Sequence, residues 1–274
     1  MAALVRHHDR DRFQTVLFAP AARREALFAL YAFNYEIASV RERVSQPTLG
    51  RIRLEWWREN IGAAYGNGPV RYHPVVEALT AVIREVGLTQ NHFELLIEAR
   101  EADFDDEPPT NLAALEDYAE GTSSRLIYLA LEVLGVRHPS ASRAGYHVGV
   151  AYALAGLLRA LPLRTAASRP IIPAEVASRN GLEPGNPQQM RGSTALRRAV
   201  AEIGAAAEAH LRRARGIRNA VPQAALPAVL PAVIADRSLR WLKRAGYDPF
   251  APGLARRDPL QSWRLAGAAL RKRF

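Results

Sequence analysis

Carboxylates spaced to share a helix face are the first candidates for chemistry. Glu98, Glu101 and Asp105 stand at i, i+3 and i+7, with Asp103, Asp106 and Glu107 nearby. Hard cations such as magnesium take several oxygen ligands in such an array. The run ends on Pro108-Pro109, so a solvated acidic patch entering a loop is the competing explanation and the one the charge pattern favours. Other chemistries are thin. The seven histidines (His7, His8, His73, His92, His138, His147 and His210) show no H-E-x-x-H spacing, and no glycine-rich phosphate loop occurs. His147 lies near an apolar stripe and reads as a satisfied core histidine. Cysteine is absent, which excludes disulfides, thiolate metal sites and cysteine nucleophiles. Zinc-enzyme and serine-hydrolase readings fall away, and no cofactor is expected.

Helices must position whatever site exists. Apolar residues recur at three- and four-residue spacing almost throughout, and period-two runs are scarce. The pattern predicts helices over 21–43, 47–65, 74–86, 90–104, 111–134, 142–161, 190–218, 223–234 and 260–272. Breakers separate them at Gly66-Asn67-Gly68-Pro69, Pro108-Pro109, Gly135, Pro162 and Pro184-Gly185-Asn186-Pro187. Asn111 and Ser45 are placed to cap helices. Nothing resembling a linker or repeat divides residues 1–274, so one all-α domain is expected. Of Trp56-Trp57, about 100° apart on a helix, one should be core and the other surface.

The 274 residues are 49% hydrophobic and 23% charged, a globular composition. No stretch approaches the roughly 20 uninterrupted apolar residues of a membrane span, and MAALVRHHDRDRF lacks the apolar core of a signal peptide. A cytoplasmic location, or a peripheral one on the cytoplasmic face of the inner membrane, is the expectation. The net charge is +10, and residues 237–274 hold ten basic and two acidic residues, a net of +8. Trp241, Phe250, Trp263 and Phe274 are interleaved with them. Leu260, Trp263, Gly267 and Leu270 would share a face beside Arg264, Arg271 and Arg273, as in helices that lie on anionic membranes. A solvated surface and a protein partner are the alternatives. Nucleic acid is not expected, since no recognised binding motif accompanies the charge.

Two segments carry a family resemblance. ALFALYAFNYEIASVRE (residues 26–42) resembles the first aspartate-rich helix of the squalene and phytoene synthase family, and GVAYALAGLLRALPLR (149–164) its second. Arg169-Pro170-Ile171-Ile172-Pro173 falls where that family has R-x-Y-L-P. The resemblance implies an isoprenoid-synthase-like helical bundle around a central cavity, in which aspartates hold magnesium and magnesium holds a prenyl diphosphate. Metal ions suit that leaving group because they neutralise dense negative charge without a proton donor. At the five carboxylate positions this chain has Ala38, Ser39, Glu42, Ala160 and Arg164. One of the five is acidic and one has reversed its sign, which argues against metal-dependent prenyl transfer.

The strings AFNYEIA, VSQPTLGRIRLEWW, YAEGTSSRLIYLALEVLG and LLRALP are similar to a non-catalytic branch of the same family that assists biogenesis of respiratory complex I (NADH:ubiquinone oxidoreductase). That similarity implies a membrane-bound complex I subunit or assembly intermediate as partner. The fold would bring Asn34, Glu36, Arg53, Trp57, Tyr118, Thr122, Ser123 and Arg159 toward the old cavity. There they would either bind an unreactive isoprenoid or lipid diphosphate through arginines, or knit the helices together, with Glu36 paired to Arg53 or Arg159. A divergent prenyl transferase and a lipid-binding module are the alternative functions.

Overall fold

The computed structural model of the chain describes residues 1–66, 68, 70–166, 171–182, 192–254 and 258–274. The predicted Pro184–Pro187 turn, Asn67, Pro69, Arg169, Pro170 and the first two residues of the 190–218 helix lie outside the described residues. Among those described, every regular element is helical.

The N-terminal arm forms α1 (Ala2–His8) and α2 (Arg10–Val16), and the first long helix is α3 (Ala21–Ala38). Then come α4 (Pro47–Tyr65), α5 (Pro74–Val86), α6 (Gln90–Ala99), α7 (Leu112–Ala119) and α8 (Arg125–Val133). The longest helix is α9 (Pro139–Ala166), followed by α10 (Thr194–Gly216), α11 (Pro231–Arg244) and α12 (Gln261–Leu270). Local chemistry sets many of the ends. Proline opens α4 and α5, where its missing N–H is not needed. Asn111 Oδ1 accepts from Ala114 N at 2.9 Å and caps α7. Gly87, at φ +70°, ends α5 in the left-handed conformation that a side chain disfavours.

The bundle is organised on α9, which packs chiefly against α10, α11 and α8. By length and composition residues Pro139–Arg164 could cross a bilayer. Here that apolar character serves a helix inside a protein: Ala144, Val148, Ala151, Leu154 and Leu158 are buried against its neighbours. No uninterrupted apolar run of that length occurs here, as expected, since Arg143, His147 and Arg159 break it. Close approach depends on Gly149, where a Cβ would stand 2.5 Å from Ser124 Cα and 2.7 Å from its backbone N.

Three departures from the expected elements have physical causes. The 111–134 helix is interrupted by a π-helical turn, Glu120–Ser124, at the place where α9 comes closest. The 90–104 helix tightens into a 3₁₀ turn over Arg100–Phe104. Pro162 does not end α9: the helix runs on to Ala166, with Leu157, Leu158 and Leu161 buried, so packing outweighs the lost backbone hydrogen bond. Ser45 is not a cap either, since the residue before α4 is Gln46 and Pro47 begins the helix. The predicted 223–234 helix starts as turns and becomes α11, whose buried stripe of Ile234, Ala235, Ser238, Leu239 and Leu242 extends into the basic tail.

Candidate functional site

Near the end of α9, Arg164 meets the one deeply placed carboxylate of the acidic run. Its Nη2 lies 3.4 Å from Asp103 Oδ1, and Arg100 Nη1 lies 3.4 Å from Oδ2. The Tyr118 hydroxyl donates to Asp103 Oδ1 at 2.8 Å. Asp103 is therefore held by two guanidinium groups and a phenol. Burial would lower the Arg164 pKa, but Tyr118 and Asp103 more than offset that and raise it. Burial, then Asp103, also pushes the Tyr118 hydroxyl up, so it stays protonated as a donor. The cluster lines a cleft of about 720 Å³ with Leu157, Ile171 and the Pro108-Pro109 loop.

The other acidic residues do not converge there. Because the helix tightens after Ala99, Glu98, Glu101 and Asp105 do not form the expected single face. Glu101 takes Arg58 at 2.8 Å, Asp105 takes Arg51 at 3.5 Å, and Glu98 is exposed. Glu101 shares Arg58 with Glu55 and Glu94.

The first-motif positions sit at the C-terminal end of α3. Ala38 is half-buried and Glu42 is exposed. The Ser39 hydroxyl donates back into its own helix, to the Tyr35 carbonyl (2.7 Å) and the Glu36 carbonyl (3.2 Å). Glu36 pairs with Arg43 at 2.8 Å, and the Arg43 guanidinium also covers the Tyr35 ring. This corrects the expected pairing with Arg53 or Arg159: the partner lies on the next helical turns, seven residues on. Arg53 is exposed and lies over the Trp56 ring at 4.7 Å.

Arg159 faces a second cavity, of about 550 Å³, between the N-terminal arm, α9, α11 and the C-terminal segment. Its Nη2 is 3.3 Å from Asp11. Arg12 pairs with Asp9 at 2.7 Å, its guanidinium over the rings of Tyr31 and Tyr152 at 5.7 and 5.1 Å. Arg237 pairs with the buried Asp258 carboxylate. Burial first, and then Asp11 and Asp9, push the Tyr152 hydroxyl well above its ordinary value, so this wall is a donor surface. Of the four lining arginines, Arg12, Arg159 and Arg237 are matched by Asp9, Asp11 and Asp258, with which an anion entering here would compete. Asp9, Asp11 and Arg12 are not among the residues singled out from the sequence. The alternating Asp and Arg were the available signal.

The remaining candidates are interior. Trp57 is the buried member of its pair, edge-on to Phe33 at 5.4 Å, and Trp56 is half-buried. The Thr122 hydroxyl donates to the Tyr118 carbonyl at 2.7 Å. Asn34 Oδ1 and Ser123 Oγ are buried without a hydrogen-bond partner among the described residues, and are polar atoms that a small ligand could satisfy. Ala160 is half-buried with only a methyl group to offer. His147 bonds His210 through their Nδ1 atoms at 3.0 Å. Burial lowers both to about 4, helped at His147 by His210 and Arg213 and at His210 by Arg213. His147 is thus a satisfied histidine, as expected.

A magnesium–diphosphate centre needs several carboxylate oxygens aimed at one point. The residues at the five motif positions do not fit one: two carry methyl groups, one hydroxyl is turned into its helix, Glu42 faces outward, and Arg164 brings a positive charge to Asp103. Among the described residues no three His, Asp or Glu side chains are grouped to hold a metal.

Comparison with known proteins follows the same lines. A family model described as squalene/phytoene synthase matches residues 5–264. NADH dehydrogenase (ubiquinone) complex I, assembly factor 6, of Bos taurus is 32% identical over 268 residues, covering 95% of this chain and 80% of that protein. Presqualene diphosphate synthase of Rhodopseudomonas palustris is 27% identical over 207 residues, 74% of this chain and 72% of that one. In structure, squalene synthase HpnC from Alicyclobacillus acidocaldarius superposes with a TM-score of 0.80 at 22% identity, covering 90% of this chain and 93% of that one.

Proposed function

The chain belongs to the squalene/phytoene synthase family, and from that premise we propose that it is a non-catalytic helper in the assembly of respiratory complex I, working at the cytoplasmic face of the inner membrane. One observation carries the reading: likeness to a protein named as a complex I assembly factor runs over 95% of the chain. The donor set supports it, since Arg164, at a position where the family resemblance expects a metal-binding aspartate, is paired with Asp103. The partner would be a membrane-bound subunit or an assembly intermediate of the complex. In the source organism, removing the gene should lower the amount of assembled complex I seen on native gels. Re-expression of the chain should restore it. Unchanged complex I in the deletion strain would sink the proposal.

The second reading is prenyl transfer, which the likeness to presqualene diphosphate synthase favours. It requires a metal site elsewhere in the chain. Among the described residues no group of His, Asp or Glu is placed to hold one, and Glu101, Asp103 and Asp105 of the acidic run are each engaged by arginine.

A further inference from the structure

The core accounts for one face of α12 and leaves the other without an internal role. Leu265 is buried in a small cluster with Leu230 and Ile234. Leu260, Trp263 and Leu270 follow a stripe on the other side of the helix and are 52%, 76% and 83% exposed. Large apolar side chains scattered singly over a surface are ordinary, whereas three along one helix face mark a contact.

Next along the chain from Trp263, Ser262 of α12 joins α1 and α2 in framing an open groove of about 980 Å³. Gln14 Nε2 on α2 donates to Ser262 Oγ on α12 at 2.8 Å, tying the two ends of the chain together. Phe13 and the exposed Leu17 supply the groove's apolar wall, and the exposed Arg6 and Arg10 its charge. Six described basic residues of the tail fall into two groups, apart from the exposed Lys243 and Arg244 of α11. Arg237 and Arg264 are spent on Asp258, and Arg240 on Asp236. Arg271, Lys272 and Arg273 are exposed and, like Arg6 and Arg10, enter no ion pair among the described residues.

We propose that the α12 stripe and the α1–α2 groove form one docking surface for an anionic lipid bilayer. Leu260, Trp263 and Leu270 enter the boundary between headgroups and acyl chains, and the unpaired cations meet lipid phosphates. Tryptophan at headgroup depth beside lysine and arginine is the combination that bilayers select. The uncompensated positive charge matches an anionic leaflet. This gives the membrane-peripheral reading above a definite surface and rests on it, but it does not depend on complex I.

The test is flotation of the full chain with vesicles of phosphatidylcholine alone and of phosphatidylcholine mixed with phosphatidylglycerol. The chain should float with the mixed vesicles, stay behind with the neutral ones, and be released by salt. Reversing three charges (Arg271→Glu, Lys272→Glu, Arg273→Glu) should weaken partitioning by about a hundredfold or more. Trp263→Ser should weaken it by about tenfold, and Arg6→Glu with Arg10→Glu tests the groove separately. All these side chains are exposed, so the variants should unfold at the parent's temperature. Equal flotation with both vesicle types, flotation with neither, or full binding by the triple variant overturns the inference. Because no complex I component is present, failure here leaves the assembly role standing, and the reverse holds for the gene deletion.

Discussion

Replacing Asp103 with alanine probes the contact that joins the acidic run to α9. The Asp103 side chain is 10% exposed, that of Arg100 13% and that of Arg164 26%. Asp103→Ala takes the counter-charge from both guanidinium groups and the acceptor from the Tyr118 hydroxyl. Breaking a buried ion pair from one side costs about 3–5 kcal/mol, because the charge left behind stays desolvated. Arg164 is open enough for water to take up part of its charge, so the lower end applies, about 3 kcal/mol. In a chain of this size that lowers the thermal midpoint by roughly 6–10 °C. Circular dichroism melts and urea titrations at pH 7 would measure it. In the double variant Asp103→Ala/Arg164→Ala the losses should fall short of additive by about 1–2 kcal/mol. A single-variant loss under about 1 kcal/mol, or strict additivity, would show that the cluster is a solvated surface feature.

Two further perturbations test the interior. The His147–His210 pair is held near 4 against an ordinary 6.5, so the unfolded chain binds these protons first. Stability is then full above pH 6.5 and declines as the pH falls toward 4. Urea midpoints between pH 7.5 and 4 should show that slope, His210→Phe should flatten it, and a pH-independent wild type would contradict the burial argument. At Gly149, where an added methyl group would press on the Ser124 backbone, Gly149→Ala should cost about 2–3 kcal/mol, and a neutral substitution would mean that α9 and the π-helical turn are less closely packed than described.

What could be read beforehand depended on how local its cause was. The helices α4 and α5 were legible to the residue, because proline starts both and Gly87 ends one. Pro162 misled, since whether a helix survives an internal proline is decided by leucines packed against other elements. The reach of α11 was hidden because its apolar stripe is embedded in charged residues. Family motifs located Arg159 and Arg164, but not their partners. Asp11 is 148 residues from Arg159 and Asp103 is 61 from Arg164, and no local spacing encodes such contacts. Glu36 with Arg43 was different: that pair lies seven residues apart, and only the search for a cross-cavity partner obscured it.

Under the proposed non-catalytic role, the Arg164–Asp103 pair does not serve magnesium-dependent chemistry. The direct measurement is diphosphate release from farnesyl and geranylgeranyl diphosphate by the purified chain, with and without magnesium. No release above the protein-free control is expected in either condition. Magnesium-dependent release that scales with protein concentration would contradict it.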